Sequence, residues 1–526
     1  MALFCLSGWL KAANRKFGGS RPNPRRGQHL PRPRFVPRLD ALEDRTVPST
    51  LTVTSAADDG TSGTLRSVIA SASPGDTIQF SSNLNGQTIT LTKAQGGELA
   101  IAKNLTITGP GASQLAISGN AVSRVFDITG GTVTIAGLTI TDGLAGASAP
   151  GVASTGGGIL NEAGASLTLS NDVLSDNEAI GDPSASPLGF PGLGEGGGIA
   201  NFGTLTVMAS QFTGNLAQGG DGSSGDTYAG FAVGGGIVNW AAASVTASHF
   251  TGNLALGGNN CGGTPSSVSG AGGGGGICNP AGTLDVTDST FSHNQAIGGN
   301  DNLSSVIAGI GFGGGISSGG ATLPVTLQVT GSTFDHNQAI GGNDNRVTRS
   351  PPSNVLGPDN AFGGGVDVIS GLATIDGSMF ERNKAIGGQG GPGQNGGLGA
   401  GGGIFVNTFP PGFVPVTSVT VSNCTVDDNS ALGGQGGAGG NGGDGWGGGL
   451  ANLLGATLSV TASTVTGNHA NGGSGSGGGS DGQGIGGGVY FATGTTVCLD
   501  TDTVANIFGN HASTSNNDIF GVYTTC

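Results

Sequence analysis

Side chains able to do acid–base, nucleophilic or metal chemistry are scarce in this sequence, and they are unevenly placed. After Arg124 the only Lys and Arg residues are Arg346, Arg349, Arg382 and Lys384. Asp335, Asp367 and Asp376 lie near them in sequence. This is the one stretch that could set a base beside carboxylates holding a calcium ion, the pairing used to pull a proton from carbon. Arg346 and Arg349 sit close to Pro351 and Pro352, which marks a solvated insertion loop. His293 and His336 share one repeat position, as do His469 and His511. Two imidazoles without a third ligand make a weak zinc site. Hard oxygen ligands for calcium occur in the Gly-Gly-Asp and Gly-Gly-Asn-Asp segments that carry Asp221, Asp301, Asp344 and Asp444. The acidic doublet Asp427-Asp428 is expected to be exposed. The spacing predicts neither an assembled catalytic site nor a cofactor.

The elements that must position these groups follow from composition and repetition. Of 526 residues, 110 are glycine. The glycines fall in clumps and never in an every-third register, which excludes collagen. Hydrophobic residues make up 35% and charged residues 10%, the reverse of the disordered signature. No run of about 18 apolar residues exists, so no transmembrane helix is expected. Residues 1–50 carry ten Lys/Arg against three acids, and the remainder eight against thirty, so a net +7 precedes a net −22. Nucleic acids need cations to neutralise phosphate, so the acidic body is a poor partner for them.

A triple-glycine block followed by an aliphatic residue recurs, the aliphatics being Ile159, Ile199, Ile237, Ile277, Ile316, Val366, Ile404, Leu450 and Val489. Downstream of each comes a short alternating strand, then Phe-x-x-Asn or an aliphatic equivalent. The last inward strand residues are Leu169, Val207, Val245, Val286, Val329, Ile375, Val421 and Val460. Eight residues after each stands an asparagine: Asn177, Asn215, Asn253, Asn294, Asn337, Asn383, Asn429 and Asn468. A ninth copy is irregular, with Val497 and Leu499 leading to Val504 and a late Asn510. Strands this short cannot bury a face alone, but stacked copies share one continuous core. The asparagines then lie about 4.8 Å apart and can bond along the stack as a structural ladder. The Gly/Asn/Ser/Asp-rich remainder of each repeat is expected to loop outward, mobile, and to carry any binding. Outward Thr168, Thr206, Thr246, Thr374 and Thr420 read as ordinary strand surface.

Gly-Gly-Gly-Ile paired with Phe-x-x-Asn resembles the polymorphic outer membrane protein repeat, within the broader right-handed parallel β-helix proteins. The resemblance covers roughly residues 150–512. It implies an all-β, single-stranded solenoid of about 12 turns, with a short capping helix at 64–72 and long Gly-rich loops. Residues 51–145 form cap and plain turns, 146–512 the repeats, and 513–526 the C-terminal end. Arg38-Leu-Asp-Ala-Leu-Glu-Asp-Arg-Thr-Val-Pro-Ser49, within the basic leader 1–50, resembles a leader found before exported bacterial repeat proteins. That likeness implies an extracellular or surface location. Autotransporter members end in a membrane barrel, whereas this sequence stops just after its last repeat. β-Helices also include polyuronate lyases and hydrolases, but Gly-His-Gly and Arg-Ile-Lys motifs are missing here.

Cysteines suit the same reading. Cys261 and Cys278 are close enough in sequence to bridge, and Cys498 with Cys526 could pin the C-terminal end. The sequence therefore predicts an exported, monomeric, adhesin-like structural and interaction module without catalysis, meeting a polysaccharide, protein or surface partner through its loops. A polysaccharide lyase or hydrolase is the alternative, and an autotransporter-like passenger lacking its own barrel is a second.

Overall fold

A computed structural model describes residues 48–526 apart from 147–151, 184, 187–189, 226–227, 264–267, 305–306, 321–324, 349–356 and 409–416. Residues 1–47 of the basic leader, Arg349, Pro351 and Pro352 lie outside the described residues. From Pro48 to Cys526 the chain forms one unit. It is a parallel β-helix.

One turn shows why. The strand Ile237–Asn239 buries Ile237, Ala242–Thr246 buries Ala243 and Val245, and His249–Thr251 buries Phe250. Each pairs in parallel with its counterpart one repeat away: Ile237 with Ile277, Val245 with Val286, Phe250 with Phe291. Repetition builds a fourteen-stranded and two twelve-stranded parallel sheets around one apolar core. Fourteen strands about 4.8 Å apart give roughly 60 Å of solenoid. The helix Leu65–Ser71 lies at its N-terminal end, with Thr64 Oγ1 accepting from the Ser67 N–H and Leu65, Val68 and Ile69 buried. Arg66 fixes this end by holding Asp58 at 2.7 Å. Among the described residues no helix is long and apolar enough to cross a membrane.

The three glycines of each block are needed for different reasons. Gly234 has φ +69°, a left-handed corner that a side chain strains to adopt. At Gly235 an added Cβ would lie 2.5 Å from the Gly275 carbonyl of the next turn, and at Gly236 it would press on the Phe250 ring. The second and third glycines therefore serve close backbone approach.

The segments between repeats differ from expectation. They do not hang outward as loose loops. After the ladder asparagine the chain leaves through a strand such as Leu254–Leu256 and returns through one such as Gly272–Gly273, and these build a ten-stranded and a nine-stranded sheet. Between the two lies a seam of small residues: Ala217 and Ala255 pack on Ala232, and at Gly272 a Cβ would strike the Ile297 and Ala255 carbonyls. Farther out, Ser224–Gly225, Gly262–Gly263, Leu303–Ser304 and Arg346–Val347 pair again. Whole repeats range from 38 to 50 residues, but most excursions match in length, so neighbouring ones superpose and satisfy each other's backbone groups. Composition alone did not reveal this.

Two register assignments are corrected. The outward partner between Thr206 and Asp285 is Ser244, not Thr246, because Ala243 and Val245 are the inward pair. In the ninth copy a helix, Thr501–Ala505, is inserted, so Ile507 and not Val504 pairs with Val465.

Candidate functional site

The asparagines form a buried ladder. Asn177 Nδ2 donates to Asn215 Oδ1 at 2.9 Å, Asn215 to Asn253 at 2.8 Å, and Asn253 to Asn294 at 2.9 Å. Bonds of 2.9 Å continue through Asn337, Asn383, Asn429 and Asn468 to Asn510. A second ladder, Asn161–Asn201–Asn239–Asn279, runs beside it through side-chain amides 2.7–2.8 Å apart. Its signal was present as Gly-Gly-Gly-Ile-x-Asn. A third column, Ser210, Ser248, Ser289 and Ser332, accepts backbone N–H bonds at 3.1–3.2 Å. These columns fix the scaffold.

The second x of Phe-x-x-Asn is a left-handed corner. Glycine fills it at Gly214 and Gly252, while His293, His336, Arg382 and Asp428 occupy it with φ of 53–56°. That places chemistry-bearing side chains on an outer edge of the solenoid. His293 and His336 stack with ring centres 4.9 Å apart, and His469 and His511 meet edge to face at 5.9 Å. Among the described residues no group of three His, Cys, Asp or Glu is arranged so that it could hold a metal ion.

The cation–carboxylate stretch is dispersed. Arg382 binds Asp335 and Glu381 at 2.9 and 2.8 Å, and Asp335 also takes His336 Nδ1 at 2.8 Å. The Asp335 hydrogen bond raises the guanidinium's already high pKa, so the deprotonated form that a general base needs is even less available. Lys384 stands two positions on, paired in register with Gln338 and Ser430. Asp376 accepts from Ser422 and Asn423 at 2.6 and 2.8 Å. Asp367 is buried on another sheet, beneath the returning layer, where Ser317 donates to it at 3.2 Å. Burial pushes its carboxyl well above the ordinary carboxylate range. Asp428 is exposed, while Asp427 is half-buried under Thr466.

The cysteines divide. Cys498 and Cys526 form a disulfide. Cys261 and Cys278 do not: both are free and buried. Cys261 belongs to the outer layer, where its N–H donates to Asn302 at 2.7 Å, and Cys278 fills the outward slot of Ile277–Asn279. Nearness in sequence did not become nearness in space. Burial pushes the Cys261 thiol up to about 12.

The outer layer offers the concave surfaces. An exposed ladder crosses it: Asn259 N–H donates to Asp221, Asn300 N–H to Asn259, Asn343 N–H to Asn300 and Gln389 N–H to Asn343, all at 2.7–2.8 Å. One cleft beside it holds Asp301, Asp344, Gln389 and Arg346. Arg346 supplies a positive charge against any cation the two carboxylates would attract. A second cleft crosses successive turns and is lined by Gln394, Asn395, Asn441, Asp444, Trp446, Asp481 and Gln483. Neither cleft includes Arg382 or Lys384.

Buried carboxyls give this layer a pH signature. Burial raises Asp359 to about 8 and Glu195 to about 7, while Trp240 donates to Glu195 at 3.2 Å. Asp359 occupies a ladder position after Asn302 and Asn345, and its Oδ2 has no partner among the described residues. An acid whose pKa is raised on folding binds more protons folded than unfolded. Its stabilisation is therefore full below the ordinary value, 3.8 for Asp359 and 4.5 for Glu195, and is lost as pH rises through 7–8. Melting should accordingly occur at higher temperature at about pH 5 than at about pH 8.5. Asp359→Asn, which supplies an amide at Oδ2, should narrow that gap by removing a burial cost on the order of 1–3 kcal/mol. An unchanged gap in calorimetric melts would show that Asp359 ionises freely.

No protein-family model matches this chain, and no curated protein matches it. Among solved structures it is similar to a family 6 polysaccharide lyase from Pseudopedobacter saltans, at 10% identity over 90% of this chain and 91% of that one, with a TM-score of 0.30. It is also similar to the catalytic unit of an α-1,3-glucanase from Streptomyces thermodiastaticus, at 12% identity over 82% of this chain and 64% of that one, with a TM-score of 0.30. Pectate lyase Pel9A shares 12% identity over 71% of this chain and 80% of that one, at 0.24. Likenesses this distant pass neither activity nor substrate to this chain. Its own paired sheets define the class: a parallel β-helix with a stacked outer layer.

Proposed function

We propose that this protein is an exported, adhesin-like β-helix that binds through its outer layer and has no catalysis of its own. The carrying observation is the layer itself. It is a surface of fixed geometry, ruled by the amide ladder from Asp221 to Gln389 and opened by polar clefts. Side chains held on a rigid scaffold lose little entropy on binding, which favours recognition. In this reading residues 1–50 are a targeting segment and 51–526 the binding body, working as a monomer. The Cys498–Cys526 disulfide suits an oxidising extracellular or surface location. A strongly acidic body is unsuited to nucleic acid.

The enzyme alternative would rest on Arg382, whose guanidinium is already engaged by two carboxylates. The full chain is expected to release neither unsaturated uronates nor new reducing ends from pectin, alginate or glucans. Turnover that disappears in Arg382→Ala would overturn this reading. A barrel-bearing partner that anchors the chain would instead favour the passenger alternative.

A further inference from the structure

We propose that the second outer cleft, at Trp446, binds a neutral oligosaccharide; this rests on the reading of the outer layer as a binding surface. Its floor is backbone, because Gly396, Gly442, Gly443 and Gly482 line it without side chains to fill it. A flat ring can therefore approach the main chain closely. Trp446 stands in the wall, half-buried, its ring parallel to Tyr490 at 4.8 Å, so the indole is held in one orientation before any ligand arrives. Its N–H is closed off from solvent and has no acceptor among the described residues. Buried donors almost always find partners, so this one is an unmet group at the wall of a polar cleft.

The remaining lining sets the ligand class. Gln394 and Gln483 present amides that donate and accept, which suits hydroxyls, while Asn441, whose Oδ1 already accepts from the Ser480 N–H and hydroxyl at 2.9 and 3.1 Å, offers its amide as a donor. Asp444 and Asp481 each use one oxygen on a backbone N–H, at 2.7 and 2.9 Å, leaving a second oxygen to accept from a diol. An aromatic face against C–H groups, ringed by amides and carboxylates, combines apolar contact with orienting polar groups. Anions are disfavoured: both charged side chains in the lining are acids, and the sequence has no Lys or Arg after Lys384. The cleft therefore selects uncharged sugars over polyuronates.

The test titrates the full chain, by calorimetry and tryptophan fluorescence, with neutral tetrasaccharides cut from glucan, mannan and galactan. Tetragalacturonate and tetralysine serve as charged probes. At least one neutral tetrasaccharide should bind and quench fluorescence, with the acidic probe at least tenfold weaker. Trp446→Ala and the milder rim change Gln483→Ala should each weaken binding, the latter with melting unchanged. Equal binding of tetragalacturonate, binding of tetralysine alone, no binding of any neutral sugar, or binding untouched by Gln483→Ala in a folded protein would each overturn the proposal. New reducing ends from a bound sugar would fail the non-catalytic reading instead, which keeps the two failures distinct.

Discussion

Asn253→Leu should destabilise the middle of the solenoid by about 1–3 kcal/mol, chiefly from the buried Asn215 N–H left without a partner. Asn253 Oδ1 accepts both the Asn215 backbone N–H at 3.2 Å and the Asn215 amide at 2.8 Å. Its own amide donates to the Phe212 carbonyl and to Asn294 Oδ1, both at 2.9 Å. Leucine has similar bulk and can do none of this. The Asn215 amide retains the Leu174 carbonyl at 3.0 Å, and Asn294 Oδ1 retains the Asn253 N–H at 3.1 Å. The Asn215 backbone N–H and the Phe212 carbonyl lose the partners that Asn253 gave them. Each turn touches only its neighbours, so the loss should also loosen the repeats on either side. Urea unfolding followed by circular dichroism measures the cost. A variant as stable as the parent would mean that the ladder follows the fold without supporting it.

The core and this ladder were legible because each is written once per turn. The pairing of Leu169, Val207, Val245, Val286, Val329, Ile375, Val421 and Val460 keeps the spacing read from the residues, with no slip. Strand sides are fixed by period-two burial, so a one-residue error would have turned every side chain to the wrong face. The second asparagine ladder was equally periodic but hidden behind the glycines that precede it. The outer layer was not legible from composition. Glycine, serine and asparagine ordinarily mark loops, yet here Gly272 and Ala255 are small because two sheets must touch there. The cysteines show the other limit. Seventeen positions separate Cys261 from Cys278 in sequence, but the first lies in the outer layer and the second in a strand of the Gly-Gly-Gly-Ile sheet. The clefts depend on how successive excursions superpose, so no single repeat encodes them.

Phe291→Ala is the other large effect, with an expected loss of about 3–5 kcal/mol for a fully buried aromatic ring. Phe291 is wholly inaccessible and stacks between Phe250 and Phe334, with ring centres 4.7 and 4.8 Å away. The column runs from Phe212 to Phe380, each ring nearly parallel to the next. Truncating the middle ring removes its own burial and one stacking face from each neighbour. Parallel strands held by continuous ladders cannot close inward to fill the space, so the cavity term should be near its full size. Aliphatic residues do occupy this column at Leu174, Val426 and Val465, all buried. Phe291→Leu should therefore cost clearly less than the alanine change, because most of the volume is kept. Thermal melts of the two variants would establish the order. Equal stability of Phe291→Ala and the parent would place the ring outside the core and break the register on which the whole solenoid rests.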